Sequence, residues 1–191
     1  MEDGKAQARV RALFDATIAL HQRIASEGFD GVLQAAAAIR AAQADGGSVL
    51  IFGNGGSAAD AQHMAAELVG RYQRERPALA AIALTTDTSV LSAIGNDYGF
   101  ERVFVRQIEA LGRPGDVALG ISTGGASANV LAGLEAARGQ GLKTIALTGR
   151  DGGAIGRAAE IHVNVPDEST ARVQEVHRTL IHALCELIEG S

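Results

Sequence analysis

Five short apolar runs punctuate this chain, at residues 48–53, 80–85, 116–122, 143–148 and 161–165, and helical text separates them. Each run is mostly apolar at odd and even positions alike. A strand with one wet face would alternate, whereas strands that are apolar on both faces must be covered on both, as in a parallel sheet between two layers of helices. The expected fold class is α/β, a three-layer αβα domain around a five-stranded parallel sheet with right-handed crossovers. Ligands in such sheets bind beyond the carboxyl ends of the strands. The loops that matter are therefore 53–57, 85–88, 122–127 and 148–153, each rich in glycine or hydroxyl side chains.

Ahead of the first strand, residues 6–45 are alanine-rich and helical, with a break at Glu27-Gly28-Phe29-Asp30. This reads as an N-terminal helical hairpin occupying 1–45, followed by the α/β core and a long last helix over 169–189 within 46–191. Ser169 or Thr170 is the expected N-cap of that last helix. Val10, Leu13, Phe14, Ile18 and Ile24 fall near helical spacing on the first helix. Their stripe suits packing on another subunit and packing on the same domain equally well. With 191 residues and no long linker, one domain spanning 1–191 is expected.

Composition excludes several classes of function. The formal charge is −5, and Arg71, Arg74 and Arg76 alternate with glutamate, so nucleic acid is not an expected partner. Aromatic residues make up 4% and tryptophan is absent, leaving few surfaces on which bases could stack. No apolar run approaches the ~20 residues of a membrane span, and the polar start has no secretory character, so a cytoplasmic location is expected. Cys185, the one cysteine, reads as a small core residue on the last helix.

Chemistry concentrates after the first run. The glycines of Gly53-Asn54-Gly55-Gly56 let the backbone turn sharply, and Ser57 stands where a helix would open, offering free N–H groups to an anion. Four residues advance a helix by about 400°, so His63 and Glu67 share a face and could touch one ion. That pair suits zinc, although the spacing also arises in helices that bind nothing. Ser122, Thr123 and Ser127 surround Gly124 and Gly125 at another helix start, which suits a phosphate monoester; simple capping by Ser127 would look the same. With no lysine there and no G-x-x-x-x-G-K-[ST] anywhere, a nucleoside triphosphate is disfavoured. Asn96 and Asp97 read as part of a turn between two helices. Gln174, His177, Arg178 and His182 lie near one another on the last helix, either as a presented amide and imidazole or as a solvated polar face.

The run Gly53-Asn54-Gly55-Gly56-Ser57-Ala58-Ala59-Asp60-Ala61-Gln62-His63 is followed in order by four others: Leu84-Thr85-Thr86-Asp87-Thr88-Ser89, Ala93-Ile94-Gly95-Asn96-Asp97-Tyr98-Gly99, Ile121-Ser122-Thr123 and Val173-Gln174-Glu175-Val176-His177. Together they resemble the sugar isomerase (SIS) domain family and, within it, the phosphoheptose isomerases, over essentially the whole chain. The resemblance implies a flavodoxin-like fold, a homotetramer with sites at subunit interfaces, and one Zn2+ per subunit held by His63, Glu67, Gln174 and His182. It implies sugar-phosphate contacts from Asn54, Gly55, Gly56, Asn96, Asp97, Ser122, Thr123 and Ser127, with Glu67 and Gln174 in both sets; Ser57, Asp60 and the backbone of Gly124 are expected to join them. The implied reaction converts sedoheptulose 7-phosphate to D-glycero-D-manno-heptose 7-phosphate for lipopolysaccharide or surface glycans, with Glu67 as base and His182 as acid.

One departure concerns the phosphate loop. Where the family usually has S-T-S-G, this chain has Ser122-Thr123-Gly124-Gly125, so one hydroxyl is missing. Relatives that bind a replication initiator or a sugar phosphate without catalysis also resemble this chain over 146–153 and 171–177. That branch lacks the acid of the first site helix and the distal histidine, and both Glu67 and His182 are present here. An isomerase of another sugar phosphate is the remaining alternative.

Overall fold

The structure, a computed structural model, describes residues 2–190; Met1 and Ser191, the ends of the expected 1–191 domain, lie outside the described residues. A helical pair comes first, α1 (Glu2–Glu27) and α2 (Asp30–Ala44), joined at Gly28-Phe29. After it come β1 (Val49–Gly53), α3 (Gly56–Val69), β2 (Ala81–Ala83), α4 (Thr88–Tyr98), a 3-10 turn (Phe100–Arg102) and α5 (Val103–Leu111). The chain continues through β3 (Val117–Ser122), α6 (Ala128–Gly139), β4 (Lys143–Gly149), α7 (Gly153–Ala158), β5 (Ile161–Val165) and α8 (Thr170–Glu189). All five strands pair in parallel in the order β2-β1-β3-β4-β5, the flavodoxin-like arrangement. None of the described helices is long and apolar enough to cross a membrane.

The both-face apolarity of the strands divides the core in two. Val49, Ile51, Leu119 and Ile121 join residues of α2, α3 and α8, including Ile39, Met64 and Ile181, on one side of the sheet. Leu50, Phe52, Ala118 and Ala146 join α5 and α6 on the other, with Phe104, Ile108 and Leu134. Phe52 and Phe104 approach to 5.1 Å between ring centroids. Each such fully buried large side chain stabilises the fold by about 1.5–3 kcal/mol.

Three details differ from the sequence reading. Strand β2, at the sheet edge, is shorter than the run 80–85: Leu84 N–H still donates to the Ile51 carbonyl at 2.9 Å, and the two threonines then turn away toward α4, capped by the Asp87 carboxylate on Val90 N–H at 2.9 Å. Helix α3 opens one residue before Ser57, at Gly56, with Gly55 as its N-cap. Asn96 and Asp97 are in the last turn of α4 rather than in a turn between helices. As expected, Ser169 is the N-cap of α8, although its side chain makes no capping bond. On α1, Ile24 is buried, whereas Val10, Leu13, Phe14 and Ile18 are more than half exposed along one stripe.

His177 ties α8 to the sheet: its Nε2–H donates to the Thr148 carbonyl at the end of β4, 2.8 Å away, and the ring is fully buried. It therefore leaves the polar set in which the sequence placed it. Burial pushes its pKa down, against smaller opposing effects of the Thr148 carbonyl and the Asp60 charge; burial does the same to His162. A histidine held neutral in the fold but protonated when unfolded contributes stability that is intact above its ordinary pKa and drains away as pH falls below about 6.5. Urea unfolding between pH 7.5 and 5.5 is expected to lose up to about 1.4 kcal/mol per pH unit through His177, with less from the more exposed His162, and His177→Gln should flatten the profile.

Candidate active site

Helices α3 and α8 run side by side in the same direction, and their facing residues meet at successive turns. At the N-terminal end the Gln174 amide rests on the Cα of Gly56: a Cβ there would lie 2.6 Å from Gln174 Cδ, so only glycine admits this approach. One turn on, Arg178 Nη2 donates to Asp60 Oδ1, and Asp60 is fully buried. A further turn brings His63 Nε2 to within 2.8 Å of His182 Nε2, with Glu67 Oε1 at 3.5 Å from the same His63 nitrogen. These are positions four apart on α8 and three or four apart on α3, the spacing that keeps side chains on one helix face.

His63, Glu67 and His182 each offer a ligand atom within 4.8 Å of the others, all partly exposed. A tetrahedral zinc with bonds of about 2.0–2.2 Å sets its ligand atoms about 3.3–3.6 Å apart; the His63–Glu67 separation of 3.5 Å falls in that range, and the two imidazole nitrogens at 2.8 Å would part slightly to admit the ion. Two imidazole nitrogens turned toward one point beside a carboxylate are a donor set that fits such an ion. Gln174 sits elsewhere in this cleft, at the glycine corner, about 10 Å of helix away from the level of His63.

Supporting residues surround this cluster. Tyr72 stacks on His182 with ring centroids 5.5 Å apart. Arg76 donates to the carbonyls of Glu67 and Leu68, both at 2.8 Å, closing the C-terminal end of α3, and pairs with Glu189 of α8 at 3.3 Å. Glu189 in turn accepts the backbone N–H groups of Tyr72, Gln73 and Arg74. Cys185 is buried on α8; desolvation, then the charges of Glu67 and Glu189, push its thiol up to about 12, so it is an inert core group as expected. Tyr72 and Arg76 escaped the sequence reading, since nothing in their spacing ties them to a histidine more than a hundred positions later.

The remaining site residues gather at the carboxyl ends of β1 and β3, where the strand order reverses. Asn54 and Asn129 exchange two amide hydrogen bonds of 2.8 and 2.9 Å across that switch point. Ser122 and Ser127 face each other with hydroxyls 3.1 Å apart, and Ser127 makes no capping bond to α6, so its hydroxyl is turned into the loop. Gly125 has φ +66° and packs on the backbone of Gly152, which locks the β3 and β4 loops together. Asn96 and Asp97 bond to each other at 2.7 Å on α4, which packs on α5 and the 3-10 turn; within one chain they make no recorded bond to the cluster.

The Asp60–Arg178 pair bridges the two helices that carry the cluster. Asp60 Oδ2 has no partner, so Arg178 carries the neutralisation of a carboxylate that water does not reach. Arg178→Ala is expected to destabilise the fold by about 2 kcal/mol, below the usual cost of breaking a buried pair because the arginine is half exposed. A urea midpoint unchanged from the parent would contradict this account of the helix pairing.

Known proteins resemble this chain in both sequence and fold. Residues 12–149 match the SIS domain family. The chain is 59% identical over 158 residues to the phosphoheptose isomerase of Aquifex aeolicus, covering 83% of each sequence. It superposes on the structure of phosphoheptose isomerase GmhA from Neisseria gonorrhoeae with a TM-score of 0.92 and 49% identity over 97% of this chain and 99% of that one. For a phosphoheptose isomerase from Francisella tularensis the values are 0.93, 37%, 97% and 99%. Matched over most of its length in both sequence and structure, the chain belongs to the SIS domain family, among the phosphoheptose isomerases, and is an isomerase acting on a sugar phosphate.

Proposed function

We propose that the protein interconverts sedoheptulose 7-phosphate and D-glycero-D-manno-heptose 7-phosphate, and that the meeting of His63 and Glu67 with His182 is the observation that carries this reading. The names of the similar isomerases support the heptose substrate, and a supply of heptose to lipopolysaccharide or surface glycans follows from that product.

Moving the carbonyl from C2 to C1 needs a base, an acid and a group that steadies a developing oxyanion. Glu67 removes a proton from C1; the C1–C2 double bond forms, and the C2 oxygen takes a proton from His182. In the resulting enediol, His182 recovers the proton of the C1 hydroxyl as the C1 carbonyl forms, and Glu67 returns its proton to C2. His63, Glu67 and His182, with Gln174 swinging from the glycine corner, would hold Zn2+, which when bound supplies Lewis-acid polarisation of the carbonyl oxygen. Glu67 can serve as base only through an oxygen not engaged by the ion.

Ser122, Thr123, Ser127 and the Gly124 N–H bind the phosphate at the start of α6, while Asn54, Gly55, Gly56, Ser57 and Asp60 line the sugar end. Asp60 is fully buried, so it acts there through Arg178 rather than by touching the sugar itself. Asn96 and Asp97 complete the pocket in a homotetramer. The exposed stripe of Val10, Leu13, Phe14 and Ile18 supports self-association of this kind, because apolar side chains exposed together gain by being covered.

Incubation with sedoheptulose 7-phosphate is expected to give the aldoheptose, with loss of turnover on chelation and recovery on adding Zn2+. Glu67→Gln and His182→Ala should each lower kcat at least about 100-fold while the oligomer persists. Near-normal turnover by either purified variant would remove that residue from the reaction.

A further inference from the structure

The loop after β4 was not needed for the reaction, yet it meets the phosphate loop face to face. A Cβ built on Gly124 would find only one heavy atom within 4 Å, Arg150 Nη1, at 4.0 Å. The surface of Gly124 is therefore an open hollow, bordered by a guanidinium. The two loops form one rigid unit: Ile155 N–H donates to the Gly125 carbonyl at 3.2 Å, and Gly125 abuts Gly152 and Gly153.

Arg150 is also the one non-glycine residue with positive φ among the described residues, at 54°. Its neighbours Gly149, Gly152 and Gly153 show how freely this loop uses glycine, yet an arginine occupies a left-handed position that glycine would adopt without strain. Its backbone is pinned there, N–H to the Asp167 carbonyl at 3.3 Å and its own carbonyl accepting from Asn164 Nδ2 at 2.9 Å. The side chain pairs with Glu168, 3.4 Å from Nε, in a pocket that Asp151 and Asp167 also line; the Glu168 carboxylate is 88% exposed, so water screens the pair and leaves the Nη face available.

We infer that Arg150 is a phosphate-binding residue of the sugar-phosphate site, its guanidinium reaching the phosphate across the hollow at Gly124 in place of the hydroxyl that this chain lacks. The inference rests on the placement of the phosphate at Ser122, Thr123 and Ser127 proposed above. A planar guanidinium suits two phosphate oxygens at once, and a chain of net charge −5 gains from a fixed cation where a dianion must dock.

Arg150→Gly is a clean probe, because it removes the cation and relaxes the backbone at the same position. Steady-state kinetics with sedoheptulose 7-phosphate, together with inorganic phosphate as a competitive inhibitor, are expected to show KM and the phosphate inhibition constant rising at least about 10-fold. The change in kcat should stay within about threefold, and Arg150→Lys should recover most of the loss. Both constants staying within twofold of the parent in Arg150→Gly would overturn the inference. So would an equal rise in Glu168→Gln, since that variant keeps the cation and loses only its tie to the loop. If the parent protein does not turn the heptulose phosphate over, the proposed substrate fails instead, and calorimetric titration of parent and Arg150→Gly with inorganic phosphate still decides the role of Arg150.

Discussion

The parallel contact between α3 and α8 is the constraint on which the rest of the site depends. Two helices that lie more than a hundred residues apart in the chain are held in one register by a glycine that accepts an amide, a carboxylate that accepts a guanidinium, and two imidazoles that meet. Sliding one helix past the other by a turn would separate all three contacts together, because each repeats at the same spacing. The buried carboxylate of Asp60 makes the register specific: in any other alignment it would face apolar side chains without a cation, at a cost far above that of a misplaced apolar contact.

That register can exist only because the sheet places the helices first. Both α3 and α8 lie on the same side of the sheet, packed on Ile51, Ile121 and Leu147, and their mutual orientation follows from the strands beneath them. The loop of Arg76 and the carboxylate of Glu189 then fasten the C-terminal ends of both helices, so the cluster sits between a rigid floor and a tied end. A site built this way keeps its three polar atoms close before any ligand arrives, which lowers the reorganisation needed to bind one.

The sequence made the fold legible because every strand had to be apolar on both faces, a pattern visible without knowing which strand pairs with which. It was less clear at the sheet edge, where β2 has one neighbour and stops after three residues. Within the site, His63 and Glu67 could be seen as partners from their spacing alone, whereas His182 entered through family resemblance and Tyr72 could not be seen at all. The difference is physical: neighbours on one helix are fixed by helix geometry, but neighbours across two helices are fixed by packing that no local pattern encodes. His177 shows the reverse case, since its position beside Arg178 suggested a polar face while a rotation of about 100° per residue carried it into the core.

Charge explains why the two ends of the cleft are built from different materials. A protein of net charge −5 repels an incoming phosphate at long range, so attraction must be local. At the proposed phosphate end the hydroxyls of Ser122 and Ser127 and the first N–H groups of α6 would supply dipoles, and the inferred Arg150 contact would add a fixed cation. At the other end the carboxylate of Glu67 and the imidazoles of His63 and His182 sit together partly exposed, within reach of water and of the substrate proposed above. The switch point, where Asn54 and Asn129 bond to each other, lies at the carboxyl ends of the strands that carry the proposed phosphate loop, so the anion contacts and the His63, Glu67 and His182 cluster are built on different elements.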